Sequence, residues 1–239
     1  GTMSMRNELA VIANPAYREF QAKLVPTVEP ESILGVRTPE LRRFARTLWK
    51  DRPAEARAFL NEPLPHETYD EMNLHGLLIG MAAQTPSEAI DLLDRFLPHV
   101  DNWATSDLIR VPAFKRDLPA ALVQLRAWMQ AAGPHTEYVV RFGVTQLMEL
   151  FLGDAFAPEQ LTWVATIERP EYYINMARAW YFSYALIKQP EATLPLFEQR
   201  SAQGEPMLDP WTHNKSLQKA RESRRMSPEQ KAYLQSLKV

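Results

Sequence analysis

The chain has 239 residues, of which 46% are hydrophobic and 23% are charged, with a formal net charge of −2. This composition is that of an ordinary globular protein and argues against a disordered chain. Cysteine is absent, which excludes disulfides, cysteine metal sites and a thiol nucleophile. No run approaches the roughly 18 apolar residues that a spanning helix requires, so no membrane partner is expected.

Residues 1–4 are predicted to be an added or disordered terminus, with Gly1-Thr2 standing before Met3. A basic and then apolar signal pattern is missing there, so we expect a cytoplasmic protein. Residues 1–239 are interpreted as a single domain, because no linker divides them.

Apolar residues recur with helical spacing in four segments, which prolines and glycines separate. The first runs from Thr38 through Leu48, the second ends at Thr85-Pro86, the third ends at Gly153 and the fourth at Gln189-Pro190. No segment alternates in the manner of a strand. The chain is therefore predicted to be all-α.

The helices are predicted to recur in pairs about 33 to 36 residues apart, a period typical of helical solenoids. A pair cannot bury its own apolar face, so the pairs must stack, and stacking curves the array. We expect HEAT-like repeats in a curved superhelix with a concave groove. In each pair a longer helix should precede a shorter one: 66–84 with 86–98, 134–152 with 157–167, and 170–188 with 190–200.

Four residues on successive repeats are candidates for the groove. Trp103 and Asp107 are four apart and share a helical face. Arg141 lies in an otherwise apolar helix, where a charge is costly unless it is paired or faces a groove. Trp180 follows one repeat later. From the residues alone, a tryptophan here is more often a core residue, and Asp107 more often stabilises a neighbouring helix N-terminus than acts in catalysis.

The segment from Trp211 to Val239 has seven basic and two acidic residues, a net +5, which leaves −7 for the remainder. Residues 209–239 are predicted to form basic C-terminal helices. A basic surface on an acidic protein can hold phosphates, because binding depends on local charge. A solvated amphipathic tail is the alternative. Candidate DNA-binding residues in this segment are Lys215, Lys219 and Arg224.

The order of four motifs resembles the DNA alkylation repair family, from about residue 17 to about residue 238. The motifs are Ile33 to Arg43, which contains Arg37, then Asp101 to Asp107, then the helix with Arg141, then the helix with Trp180. The stretch from His213 to Ala220 is similar to one branch. The resemblance implies a superhelix that holds double-stranded DNA and, in glycosylase members, releases N3- and N7-alkylated purines.

The resemblance implies roles for the matched residues. Asp107 corresponds to the catalytic carboxylate, Trp103 and Trp180 to the flanking aromatic residues, and Arg141 to the phosphate-binding arginine, with Arg37 a further DNA contact. An alkylated purine is cationic and leaves without a general acid, through an oxocarbenium-like transition state that a carboxylate stabilises. No cofactor and no metal are expected, since the five histidines lack ligand spacing.

One segment departs from the glycosylase pattern. Between Lys23 and Ile33, Pro26 and Pro30 interrupt any helix, and Glu29 and Glu31 would repel phosphate. The branch with an altered DNA-contacting segment at this position is therefore expected. Three functions remain open: an alkylpurine DNA glycosylase, a non-enzymatic binder of damaged or branched DNA, and a protein-interaction scaffold. The resemblance favours a monomer.

Overall fold

The computed structural model describes residues 3–239, so Gly1 and Thr2 of the predicted terminal remnant lie outside the described residues. The described residues form fourteen α-helices and no strand, and Arg200 and Pro206 make one isolated bridge. The prediction of an all-α fold is confirmed. No helix in the described part of the chain is long and apolar enough to cross a membrane.

The chain divides into two compact units, residues 1–121 and 122–239. The helices of the first unit are α1 (Met5–Val11), α2 (Pro15–Leu24), α3 (Thr38–Asp51), α4 (Pro53–Leu60), α5 (Tyr69–Ala82), α6 (Pro86–Phe96) and α7 (Trp103–Leu108). Helix α8 (Leu118–Met129) begins in the first unit and continues in the second. The second unit also contains α9 (Glu137–Phe151), α10 (Glu159–Ala165), α11 (Tyr172–Lys188), α12 (Pro190–Glu198), α13 (Pro210–Arg221) and α14 (Pro228–Ser236).

Proline positions set where many of these helices begin. In α2, α6, α13 and α14 a proline follows a polar residue whose side chain accepts a hydrogen bond from the first turn. Proline suits this position because its missing N–H would have no partner inside the helix. The capping oxygen stabilises such a start by about 1 kcal/mol. These prolines therefore mark the starts of helices, as predicted.

The core of each unit is built around a central helix that packs against several others. In the first unit, α5 is buried at thirteen of its fourteen positions and packs against α3, α4, α6 and α7. In the second unit, α11 packs against α9 and α13 and also contacts α10 and α12. Of the residues that carry the predicted motifs, Trp180 lies on one of these two central helices.

The predicted helices are confirmed with bounds that differ by a few residues. The helix predicted over 66–84 is α5 and starts at Tyr69, because Thr68 accepts a hydrogen bond from the Glu71 N–H and fixes the start. The expected order of a longer and then a shorter helix is wrong after Val100, where α7 has 6 residues and α8 has 12. Helix α7 ends at Leu108 because the backbone of Ile109 is extended. The superhelical curvature and the single domain stay predictions.

Candidate nucleic-acid interface

Helix α7 carries Trp103 and Asp107 and is held in place at its N-terminus. The Asn102 side chain accepts a hydrogen bond from the Thr105 N–H at 2.8 Å and donates to the Thr105 hydroxyl at 2.9 Å. That hydroxyl donates in turn to Asn73 Oδ1 on α5 at 2.5 Å. A six-residue helix is marginal by itself, so these buried polar contacts fix where Trp103 and Asp107 lie. Both side chains are half-buried.

Trp103 anchors the segment that follows α2. Its indole N–H donates to the Leu24 carbonyl at 2.9 Å, and the ring packs against a cluster of Val25, Val28, Ile33 and Tyr69. Thr27 Oγ1 donates to the Asp101 carbonyl nearby at 2.7 Å. The segment is not a continuous helix, as Pro26 and Pro30 predicted, and contains only a 3₁₀ turn at Pro30–Ser32. Trp103 therefore has a structural role whatever else it does.

Two arginines donate to the C-terminal end of α7, and a third, Arg46, lies near one of them. Arg110 Nη1 donates to the Asp107 carbonyl at 2.7 Å, and Arg42 Nη2 donates to the Leu108 carbonyl at 3.4 Å. Burial lowers the pKa of Arg42, and the nearby positive charges of Arg110 and Arg46 lower it further. An anion bound near these like charges would relieve their repulsion. The Asp107 helix thus ends beside a candidate phosphate site.

The sequence interpretation missed this arginine cluster. Arg42 and Arg46 are four apart on α3, a spacing that places both on one helical face, so the pattern was available. What sequence could not supply was Arg110, which comes from a turn more than sixty residues later. Tertiary packing of α3 on α5 and of α5 on α7 brings the three together.

Arg37 is placed by a buried carboxylate. Asp70 on α5 accepts hydrogen bonds from the Leu34 and Val36 N–H groups at 2.6 and 3.0 Å, and so holds the backbone just before Arg37. Gly35 has a φ of +100°, and a Cβ there would lie 2.6 Å from the Asn14 carbonyl oxygen. The exposed Arg37 guanidinium stacks on Tyr17 at 4.6 Å from the ring centroid. Arg37 is accessible, as its predicted DNA contact requires.

Arg141 lies in the second unit and is 4% exposed. Its Nη1 donates to the Tyr173 carbonyl at the start of α11 at 2.8 Å. Burial and Glu171 raise the pKa of Glu137, one turn before Arg141 on α9, while Arg169 and Arg141 act against that rise. The odd charge in an apolar helix is therefore a hydrogen-bonded arginine at the α9–α11 contact. Its predicted role in holding phosphate stays a prediction.

Trp180 and Lys219 share one surface cavity of about 320 Å³ in the second unit. The α11 side of this cavity is formed by Trp180, Ser183, Tyr184 and Ile187. The other side has Lys219, Glu222, Ser223 and Arg225, from the end of α13 and the turn after it. Two of the predicted residues, one aromatic and one basic, are thus brought together.

The other two predicted basic residues lie elsewhere in the C-terminal segment. Lys215 Nζ is 5.9 Å from the centroid of the exposed Trp211 ring, one turn earlier on α13, and it donates to Gln218. Arg224 is exposed in the turn between α13 and α14. The predicted basic C-terminal helices are therefore α13 and α14, with their cations mainly at the surface.

A pair of histidines in the first unit is buried rather than arranged around a metal. His66 Nε2 and His75 Nδ1 are 2.9 Å apart, and the rings stack on Phe59 and Phe96. Burial lowers the pKa of His66 to about 4. Burial, together with nearby His66, Arg95 and His99, lowers that of His75 to about 3. Across residues 3–239, no group of three or more histidines and carboxylates is placed to hold a metal ion.

This pair predicts sensitivity to acid. Both histidines are neutral in the folded protein, whereas the unfolded chain protonates them near pH 6.5. The free energy of unfolding should be fully retained above pH 6.5 and fall as the pH drops toward 4. For His66 alone the loss is on the order of 3 kcal/mol. Urea denaturation between pH 7 and pH 4 measures it, and His75→Gln should flatten the dependence. The exposed His135→Asn is the control; an equal flattening there would contradict the assignment.

Taken together, these observations define an all-helical protein with basic and aromatic surfaces in both units. Trp103, Asp107 and the arginine cluster belong to the first unit, and Arg141, Trp180, Lys215 and Lys219 to the second. The family model described as DNA alkylation repair enzyme matches residues 5–194, most of the chain. The chain therefore belongs to the DNA alkylation repair enzyme family, as its motifs predicted.

Family membership assigns the chain a role in DNA repair, with DNA as its substrate. Searches of curated proteins and of solved structures found no significant match. The family match ends in α12, so α13, α14 and their basic residues lie beyond it. The particular branch within the family stays a prediction.

Proposed function

We propose that the protein is a DNA N-glycosylase that releases N3- or N7-alkylated purines from duplex DNA, with Asp107 as its catalytic carboxylate. The observation that carries the proposal is the position of Asp107. Its half-buried side chain lies at the end of α7, where Arg42, Arg46 and Arg110 are grouped. A carboxylate on the helix that ends beside a candidate phosphate site suits a reaction at a deoxyribose, which lies between two phosphates.

The chemistry follows from the charge of the substrate. An alkylated purine is cationic, so when its bond to C1′ breaks, the base takes the electron pair and leaves as a neutral molecule. The sugar is left with oxocarbenium character, which the Asp107 carboxylate stabilises. Water then attacks C1′, and its proton passes to Asp107 or to solvent. The products are a free alkylpurine and an abasic site with a hydroxyl at C1′.

The other matched residues have supporting roles in this proposal. Arg141, Arg37 and the arginine cluster hold phosphates and set the register of the DNA. Trp103 in the first unit and Trp180 in the second each keep the role that the family resemblance implies, an aromatic surface that attracts positive charge. Lys215, Lys219 and Arg224 add phosphate contacts from the C-terminal segment. Substrate binding then depends on many cations, whereas base release depends on one carboxylate.

Asp107→Asn should abolish base release while sparing DNA affinity. The amide has nearly the shape of the carboxylate but cannot stabilise the cationic sugar, so the rate should fall by roughly 10²-fold or more. The measurement is release of methylpurine from methylated duplex DNA, with affinity followed by fluorescence anisotropy. Asp91→Asn, an exposed carboxylate on α6 of the same unit, is the matched control and should release base normally. Equal release by Asp107→Asn and the wild type would refute the catalytic role.

A non-enzymatic binder of damaged or branched DNA is the second candidate, and the surroundings of Trp103 favour it. The indole N–H is committed to the Leu24 carbonyl, and the ring contacts the cluster under the segment after α2. Absence of base release with salt-dependent DNA binding would establish this function. Binding that does not weaken with salt would instead indicate a protein-interaction scaffold, because phosphate contacts release counterions.

A further inference from the structure

Helix α11 presents an aromatic stripe along its whole length. Tyr172, Met176, Trp180 and Tyr184 follow one another at intervals of four residues and therefore lie on one side of the helix. Tyr172 is 56% exposed and Tyr184 is 37% exposed, while Met176 and Trp180 are half-buried. Two exposed tyrosines and a half-buried tryptophan along one line of a helix form a surface suited to a partner.

Helix α13 presents a second stripe beside the first. Trp211, Lys215, Lys219 and Ser223 are again four residues apart, with Ser223 just past the last helical turn. The two helices pack together in the second unit. At one end the rings of Tyr172 and Trp211 are 5.8 Å apart, and at the other end Trp180 and Tyr184 share the cavity with Lys219 and Arg225. The stripes thus lie side by side, with a cavity at the Trp180 end, and this strip of surface is called the α11–α13 groove.

The groove combines aromatic surfaces with positive charge. Lys215 lies over Trp211, Lys219 and Arg225 line the cavity, and Glu222 is the one acidic residue in its lining. Gln218 Nε2 donates to Glu222 Oε1 at 3.2 Å. Twelve residues separate Tyr172 from Tyr184, so the stripe is about 18 Å long. Stacked nucleotides rise about 3.4 Å each, which gives room for about five of them.

We propose that the α11–α13 groove binds a short stretch of unpaired DNA, with bases stacked on the α11 aromatics and Trp211 and phosphates on Lys215, Lys219 and Arg225. Base stacking on aromatic rings beside a cationic track is the general mode of single-strand binding. A paired duplex hides the faces of its bases, so stacking along the whole stripe is open only to unpaired nucleotides. The inference rests on the proposed DNA-binding function and adds a DNA structure that the groove prefers.

The groove shares Trp180, Lys215 and Lys219 with the proposed DNA-binding surface, but it can be tested without the chemistry proposed for Asp107. Its basic side belongs to α13, beyond the part of the chain that the family model matches. The preference for unpaired DNA is a ratio of two affinities, and it can be measured with unmodified DNA that contains no lesion. Failure of base release therefore leaves this inference standing.

The test compares a duplex that has a five-nucleotide bulge with the same duplex fully paired, by fluorescence anisotropy. The wild type should bind the bulged DNA more tightly, and Tyr172→Ala combined with Trp211→Ala should reduce that preference by about tenfold or more. The control is Tyr233→Ala, which removes another exposed tyrosine of the second unit, on α14. Circular dichroism melting checks that each variant is folded.

The salt dependence of DNA affinity is a second measurement. Lys219→Gln should reduce the slope of log affinity against log salt for the bulged DNA by about 0.7, the value for one contact to a single strand. Lys231→Gln on α14 is the matched control and should leave the slope unchanged. Equal affinity of the wild type for bulged and paired DNA would overturn the inference, as would a preference that survives loss of Tyr172 and Trp211. No binding to either DNA would overturn the proposed function as well.

Discussion

Arg178→Met is expected to lower the free energy of unfolding by about 3–5 kcal/mol, the loss typical of breaking a buried charged network. Arg178 is 2% exposed on α11. Its guanidinium donates to the Val164 and Ala165 carbonyls that end α10, both at 3.0 Å, and to Asp209 Oδ1, the cap of α13, at 2.9 Å. The Arg178 side chain therefore provides hydrogen-bond partners both for the end of α10 and for the start of α13.

Two neighbours make this loss larger. Arg178 also donates to Asn175 Oδ1 and to Thr212 Oγ1, and these atoms would lose their partner in the variant. Burial alone would raise the pKa of Asp209, but the Thr212 N–H and the Arg178 guanidinium lower it instead. Without Arg178, Asp209 would hold its charge less well and cap α13 less strongly.

Urea denaturation at pH 7 measures this effect. Arg126→Met is a suitable control, because Arg126 is an exposed arginine of the same unit that stacks on Trp163 at 4.7 Å. An exposed cation–π pair contributes only about 0.5–1 kcal/mol. Similar losses for the two variants would show that the Arg178 network adds little. Arg178→Lys should lose most of the stability too, since an ammonium group cannot reach carbonyls on both sides in the way a guanidinium does.

Gly80→Ala is expected to destabilise the first unit severely and to disturb the surroundings of Asp107. Gly80 lies on α5, where a Cβ would be 1.7 Å from the Arg110 carbonyl oxygen. That contact is with backbone, so no side chain can turn aside to relieve it. The Arg110 segment would have to move, and Arg110 is the residue that donates to the Asp107 carbonyl. Overpacking costs typically 1–3 kcal/mol, and a clash this deep should reach or exceed the upper value.

Two further variants define the expected result for Gly80. Gly76→Ala, one turn earlier on α5, places its Cβ 3.1 Å from the Ile109 side chain, which has room to adjust. Gly153→Ala places its Cβ with nothing within 4 Å and should be nearly neutral. Thermal melting should rank the three variants in that order, with Gly80→Ala lowest. A melting temperature for Gly80→Ala close to that of Gly153→Ala would contradict the close approach of α5 to the Arg110 backbone.

Sequence patterns predicted the helices well because each one carries its own start and stop. Thr85-Pro86 and Gln189-Pro190 mark boundaries that depend only on neighbouring residues, and α6 and α12 begin there. The motifs around Arg37, Asp107, Arg141 and Trp180 likewise predicted the family correctly. Each of these motifs lies on one helix or turn, so its residues are close together along the chain and can be recognised in the sequence.

Contacts between distant segments could not be predicted from the sequence. Arg178 is followed by apolar residues much as Arg141 is, yet only packing shows that it joins α10, α11 and α13. The arginine cluster also needed Arg110 to be placed beside Arg42. Sequence spacing identifies residues that share a helix face, whereas partners from other helices depend on how those helices pack.

The attachment of the segment after α2 to α7 has a consequence for the order of folding. The Trp103–Leu24 hydrogen bond joins residues 79 apart in the chain, and the Thr27–Asp101 bond joins residues 74 apart. Closing such loops costs entropy before any contact compensates for it, whereas the helix caps form between residues three apart. We therefore expect the environment of Trp103 to be completed late, after neighbouring helices have paired. The helix that carries Asp107 acquires its final neighbours in the last steps of folding.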